Sequence, residues 1–327
     1  REGLRKHLPL QAEGYVCTTD DLLNVLLGVA ADRATIESVC TDLVGTPDPE
    51  TIRSYLNEQL CVEDLPDLEQ GLNAALAEEV PQRVWRQARD VAIDYHDRPY
   101  YGRTPQTEGL WVRSRAKDGT TRFYRIATAY VMLNGLRVTL AIRFVLPGDD
   151  TVAVLDHLLN RVKTLGIRVG RLLLDKGFNG IAVMDYLTLC GQPALVACTI
   201  RGRTGGTRAL CRGNKSYRTA YTFKGEHNRQ FTAQLAVCRV FTTAKRTKRM
   251  KRRAQWLIFI LIHLDLSPRQ ARRLYRRRFG IETSDRCAGR TRGWTTSNNP
   301  AYRFVLIALA FFLLNVWVHL RWLFTQV

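Results

Sequence analysis

The sequence predicts an α/β protein, a mixed sheet flanked by helices, with a helical region before it and a β-rich insertion within it. Three observations carry that expectation. Residues 15–90 place apolar side chains at helical spacing. From residue 88 onward, β-branched and aromatic runs alternate with amphipathic stretches, the pattern of strands and crossover helices. Residues 201–256 interrupt that alternation with a Gly-, Arg- and Lys-rich stretch.

Taken in order, TTDDLLNVLLGVA offers Thr18 or Thr19 as a helix N-cap, acids in the first turn and leucines on one face. ADRATIESVCTDLV carries Ile36, Val39, Cys40 and Leu43 at helical spacing, GTPDP is a turn, and ETIRSYLNEQL is a short helix. Two readings stand open here. Helix, turn and short helix with Thr51, Arg53 and Ser54 on its first turn fit a helix-turn-helix, whereas the acidity of the region favours a plain bundle. RDVAIDYH then reads as a strand, and FYRIATAYVML with LRVTLAIRFVL as a hairpin about Asn134-Gly135. TVAVLDHLLNRVKTLG is a helix closed by Gly166. VGRLLLDKGF is a strand ending in acid, GIAVMDYLTLCG a helix and PALVACTI a strand. WLIFILIHL is the last strand, and SPRQARRLYRRRFGIETSDRC a helix capped by Ser267 with Pro268 at its first position. The expected organisation is 1–87 helical, 88–200 the first part of a core, 201–256 the insertion and 257–327 the rest of the core.

Charge narrows the partners. The 327 residues carry 49 Lys and Arg against 30 Asp and Glu, a net +19. Residues 1–90 hold 8 basic and 17 acidic groups, so the whole excess lies beyond them. With 46% apolar residues the composition excludes a disordered or collagen-like chain. A basic surplus spread over more than two hundred residues exceeds the need of a pocket for a small acid and points to a polyanion, nucleic acid first. The run Lys245, Arg246, Lys248, Arg249, Lys251, Arg252 and Arg253 puts seven cations in nine residues, suited to tracking a DNA backbone by charge; a solvated loop is the plainer reading.

Eight cysteines include no C-x-x-C pair, which argues against zinc. The opening REGLRKHLPL lacks the long apolar run of a secretory signal, so reduced thiols in a cytoplasm are expected. From Phe304 to Phe324 the chain is apolar for 21 residues, long enough to span a bilayer as a helix. Arg303, Asn315, His319 and Arg321 favour a buried terminal helix and no membrane.

Three acids carry the chemistry. Asp94 ends the strand VAI and Asp175 ends RLLL, and in α/β sheets functional groups gather at the carboxyl ends of strands. Glu282 lies on an arginine-rich helix, where about 100° per residue places Tyr275, Arg278, Glu282 and Arg286 within an arc of about 80°. Three converging carboxylates without a side-chain cation repel one another, and two Mg²⁺ ions, with Mn²⁺ as substitute, resolve this. Such a pair can clamp both oxygens of a phosphodiester exchange. The plainer alternatives are turn-forming aspartates and a surface Glu282–Arg286 ion pair.

YRRRFGIETSDR (275–286) resembles the Tyr-x2-Arg-x3-Glu signature of the DDE transposases in the insertion-sequence-four superfamily. IDYHDRPYYG (93–102) and LLLDKGFNG (172–180) resemble that superfamily's two aspartate motifs, in the right order. The signature's Lys, seven residues after the Glu, falls on Gly289, with Arg290 beside it. The resemblance implies an RNase H-like core with a β insertion, and Asp94, Asp175 and Glu282 as the catalytic metal triad. It also implies Tyr275 and Arg278 near the reacting phosphate. The function expected is an insertion-sequence transposase that cleaves DNA at element ends and transfers the 3′-hydroxyl to target DNA. Its partners would be double-stranded inverted repeats and target, a second copy at synapsis, and a prokaryotic nucleoid as its place. The same residues also fit a structure-specific nuclease, or a DNA-binding remnant without activity.

Overall fold

A computed structural model describes residues 1–102, 109–133, 136–246, 249–278 and 293–324, with the backbone alone for 136, 242–246 and 249–253. The chain divides into two compact units: Arg1–Gln87, Tyr95–Ile167 and Gly280–Val327 in the first, Ala88–Asp94 and Arg168–Phe279 in the second. Each is described by itself.

The first unit opens with five helices, α1 (Glu2–His7), α2 (Thr19–Ala31), α3 (Ile36–Asp42), α4 (Pro49–Gln59) and α5 (Leu65–Glu78). Thr18 caps α2 reciprocally with Asp21, Thr35 caps α3, and Pro49 starts α4 behind Asp48. Arg53 of α4 pairs with both Glu37 and Glu50. The side chain that a helix-turn-helix would send to DNA is thus engaged within the bundle.

Strand β1 (Arg89–Pro99) runs through both units. In the first follow β2 (Val112–Lys117), β3 (Thr120–Leu133), β4 (Leu136–Val145) and helix α6 (Thr151–Thr164). Leu133 pairs with Leu136 across the expected hairpin, whose Asn134 and Gly135 lie outside the described residues. Gly166 takes φ +74° behind α6, a conformation glycine adopts freely.

The terminal helix α9 (Pro300–Phe324) is long and apolar enough to cross a membrane, and 67% of that apolar window is buried within the protein. Its polar exception explains itself. Asn315, fully buried, accepts from Thr139 N at 2.9 Å and donates to Thr139 O at 2.8 Å. Asn73 of α5 does the same for Ile142, at 2.8 and 2.9 Å, and Glu69 takes the Phe144 N–H at 2.9 Å. β4 pairs with β3, and these three side chains occupy backbone groups that an edge strand otherwise leaves bare.

The second unit holds the start of β1, β5 (Val169–Leu174), β6 (Ala194–Cys198), β7 (Tyr217–Lys224), β8 (Gln230–Arg246) and β9 (Arg249–Ile262), with helices α7 (Ile181–Leu189) and α8 (Pro268–Arg278). The strand order is β1-β5-β6-β9-β8-β7. β1, β5 and β6 are parallel; β9, β8 and β7 follow antiparallel. One sequence expectation needs correction. WLIFILIHL is not a separate strand after the insertion, because β9 begins at Arg249 and runs on to Ile262. β7 and β8, within the stretch read as a β insertion, extend the same sheet beyond β9. The cause is register: β8 pairs with β9 from Gln234↔Leu261 to Arg246↔Arg249, so one long hairpin spans both basic and apolar segments.

Candidate catalytic site

In the second unit, β1 and β5 lie side by side and parallel, with Ile93 opposite Leu174. Both are fully buried, so the next residue on each strand, Asp94 and Asp175, follows at the adjoining position. Neighbouring strands are about 4.8 Å apart, which brings the two carboxylates close without any contact between distant loops. β5 ends there. Asp175 is extended (φ −77°, ψ 174°) and its carbonyl accepts from Phe178 N at 3.0 Å, closing a 3-10 turn over 176–178. The Phe178 ring is fully buried and anchors that turn. Asp94, by contrast, does not end its strand: β1 continues to Pro99. VAI reads as a whole strand because a charged residue follows, but the β-pattern resumes beyond it.

Helix α8 supplies the third side of the site. Ser267 caps it, its Oγ taking the Gln270 N–H while Gln270 Oε1 accepts from Ser267 N at 2.9 Å. Ala271, Leu274, Tyr275 and Arg278 form its buried stripe at i, i+3, i+4 and i+7, while Arg269, Arg273, Arg276 and Arg277 are exposed or half-buried. Tyr275 packs on Phe259 of β9 at 4.8 Å between ring centroids and donates its hydroxyl to Asp175 Oδ1 at 3.2 Å. Burial pushes the Tyr275 phenol well above its ordinary pKa; nearby Arg278 opposes this and Asp175 adds to it. The phenol therefore stays a donor.

Arg278 completes the arrangement. Its Nη1 lies 3.0 Å from Asp94 Oδ2 and its Nη2 3.4 Å from Asp175 Oδ1, while its guanidinium carbon stands 4.9 Å from the Tyr275 ring centroid. The side chain is 7% exposed, against 16% for Asp94 and 39% for Asp175. This corrects the expectation that the acids lack a partner cation among the side chains. A guanidinium spans the two carboxylates and offsets their repulsion.

Beside this cluster, Asp90 takes Arg171 in a two-pronged pair at 2.7 and 2.9 Å, with Arg277 at 3.8 Å. Asp94, Asp175, Tyr275 and Arg278 are thus brought together. Glu282 and Arg286 lie outside the described residues, as does Lys248. Among the described residues no group of three acids, histidines or cysteines forms a metal cluster. Lys245 and Arg246 end β8, and Arg249, Lys251, Arg252 and Arg253 begin β9, so the basic run ends a long hairpin instead of forming a free loop. Sequence reasoning missed the bridging position of Arg278 and the seat Phe259 gives Tyr275. Helical period puts Arg278 on the correct face, but no period reveals what that face meets.

No protein-family model matches this chain, and no curated protein resembles it. Several solved structures do. One is the piggyBac transposase in a cryo-EM structure of its synaptic complex with hairpin DNA, at a TM-score of 0.55 and 12% identity. The alignment covers 97% of this chain and 70% of that one. At that identity the likeness is one of fold: the chain has a mixed α/β fold shared with a transposase.

Proposed function

We propose that the chain is a DNA transposase of the DDE kind on an RNase H-like core. It would cleave a strand at the ends of its own element and join the freed 3′-hydroxyl to target DNA. The observation that supports this most is the in-register pair Asp94 and Asp175 beneath one arginine-rich helix, in a chain with a transposase-like fold.

The donor chemistry fits a hard cation. Asp94 and Asp175 offer only oxygen, one strand apart, and with Glu282 they would hold two Mg²⁺ ions, or Mn²⁺ in their place. Such ions supply an activated hydroxyl and a charge sink for the departing oxygen. The protein's own groups position and select. Tyr275 fixes the orientation of Asp175 through its hydroxyl. Arg278 holds the acids together until they take metal; its fork of donors then suits a nonbridging phosphate oxygen. Arg286 and the cations Lys245, Arg246, Lys248, Arg249, Lys251, Arg252 and Arg253 would hold duplex backbone, without reading sequence. Synapsis of two DNA ends calls for a second copy of the chain.

The test uses a plasmid carrying the gene with its flanking DNA. Purified protein with Mg²⁺ should nick the flanks and yield joined products with a second plasmid. Asp94→Asn, Asp175→Asn and Glu282→Gln should each abolish cutting while DNA binding persists. Undiminished cleavage by any of them refutes the triad; hydrolysis without joining makes the chain a nuclease, and binding without cutting a remnant.

A further inference from the structure

A cavity of about 670 Å³ lies in the first unit, among the end of β1, β3, the start of α9 and the segment that leads into that helix. That volume falls within the roughly 300–1,000 Å³ of small-ligand sites. Pro99, Tyr124, Trp294, Leu306 and Ile307 give it apolar walls. The segment before α9 is pinned along its length. Trp294 N donates to Ala34 O at 2.9 Å, and the Tyr124 hydroxyl donates to Asn298 O at 3.2 Å. Asn299 then caps α9 by accepting from Ala301 N and Tyr302 N at 2.9 and 3.2 Å.

One group on the wall is out of balance. Arg303, half-buried near the start of α9, donates from Nε to Ser297 O at 2.5 Å and from Nη1 to Pro99 O at a longer 3.5 Å. A guanidinium carries five N–H donors, so two bonds to neutral carbonyls leave three donors and the whole charge unmet. Arg53, Arg125 and Arg143 of the same unit each hold an acid, but no carboxylate pairs with Arg303 among the described residues. Burial lowers its pKa below the ordinary arginine value, and only the phenols of Tyr124, Tyr100 and Tyr101 oppose this. Asp118 lies on the cavity lining, where its carbonyl accepts the Tyr101 hydroxyl at 2.6 Å, yet it is exposed to solvent and does not reach the guanidinium. Arg303 also faces the positive end of the α9 dipole, and charges withdrawn from water are ordinarily paired.

We propose that this cavity binds a small aromatic monocarboxylate, its carboxylate paired with Arg303 and its ring against the apolar walls. One negative charge matches one unmet guanidinium, whereas a phosphate monoester would carry a second charge in among apolar side chains. A backbone phosphate of DNA would engage Arg303 but leave Leu306, Ile307 and the aromatic faces without a partner. The inference stands apart from the transposase reading, since it needs neither DNA nor Asp94 and Asp175.

Isothermal titration calorimetry on the full chain tests it, with cinnamate, its neutral amide cinnamamide and inorganic phosphate as probes. Cinnamate should bind one site per chain, roughly tenfold tighter than cinnamamide, and phosphate should not displace it. Arg303→Gln should erase that tenfold preference and leave the cinnamamide affinity unchanged, which also shows that the cavity persists in the variant. Asp118→Asn removes the carboxylate from the lining and should tighten cinnamate about twofold without moving cinnamamide. Asparagine accepts the φ of +52° at this turn, so this arm decides the matter even where Arg303→Gln does not fold. Absence of cinnamate binding overturns the proposal, as does equal affinity for acid and amide or a preference surviving in Arg303→Gln. Displacement by phosphate overturns it as well, making Arg303 a general anion site. Loss of duplex-DNA affinity in Arg303→Gln, with cinnamate unbound by wild type, assigns the guanidinium to a DNA phosphate instead.

Discussion

Arg278 meets Asp94 through an Nη1···Oδ2 contact of 3.0 Å, and it reaches Asp175 from the same guanidinium. The pair ties the last turn of α8 to β1, and β1 to the acid that follows β5. A group that cancels carboxylate repulsion from within the protein competes with whatever cation would do so from solution.

Replacing Arg278 with Gln should therefore destabilise the protein without divalent ions and sensitise it to them. Breaking one partner of a buried ion pair costs about 3–5 kcal/mol, and the 39% exposure of Asp175 moves the expectation to the low end. Thermal unfolding with and without Mg²⁺ checks it. The Mg²⁺-induced rise in midpoint should be larger in the variant than in wild type, and absent once Asp94 and Asp175 are both changed to Asn. An equal rise in wild type and variant would show that Arg278 and the ion do not share a seat.

Tyr275 should make stability fall at alkaline pH. Its folded pKa lies above the ordinary phenol value, with burial the main cause. A raised pKa contributes stability that is complete below the unfolded value, about 10, and is lost as pH climbs from there toward the folded one. Urea unfolding at about pH 8 and above about pH 10 should show the loss, and Tyr275→Phe should flatten the slope. Tyr124 and Tyr302 are raised by burial as well, so the slope should shrink without vanishing.

Asn315→Leu tests the clamp on β4. The substitution keeps size and suits an apolar helix, yet it strips the partners from Thr139 N and Thr139 O. Two buried backbone groups left unsatisfied cost about 1–3 kcal/mol each, readable as a shift in the denaturant midpoint. An unchanged midpoint would mean that water or a shifted side chain replaces the amide.

The same residue shows what sequence could and could not say. Asn315 in an apolar run argues against a membrane span as a matter of polarity, but its partner is a strand more than 170 residues earlier. Local signals were legible: the caps at Thr18 and Ser267, the hairpin about Asn134-Gly135, and the buried face holding Tyr275 and Arg278. Acids following apolar runs located Asp94 and Asp175. Their adjacency depends on parallel register, and strand pairing has no local signature. Nor did the basic run betray a hairpin, since charge masks the alternation that marks strands. The polar stretch around Trp294 reads as a linker because the cavity it lines takes its other walls from β1, β3 and α9.

Gly293 should tolerate no side chain. A Cβ there would stand 2.3 Å from Val29 Cγ1 and 3.0 Å from Val29 O, and Val29 is fully buried in α2. Gly293→Ala must push the segment carrying Trp294 off α2, at a cost of about 1–3 kcal/mol for overpacking. Val29→Ala should restore part of the loss in the double variant. Additive losses would place the strain elsewhere.

The basic hairpin yields the last expectation. Arg246 pairs with Arg249 at the end of the β8–β9 ladder, and like charges at opposed positions of two strands destabilise a hairpin by tenths of a kcal/mol. Such an arrangement costs stability unless a polyanion offsets it. Changing Arg249, Lys251, Arg252 and Arg253 to Gln should leave the thermal midpoint unchanged or slightly raised. Affinity for duplex DNA should fall, and the slope of log affinity against log salt should shrink by about 0.9 for each phosphate no longer neutralised. Because the effect is electrostatic, it should be equal across unrelated duplex sequences. A lowered midpoint would make the cations structural, and an unchanged salt slope would remove the hairpin from the DNA-binding surface.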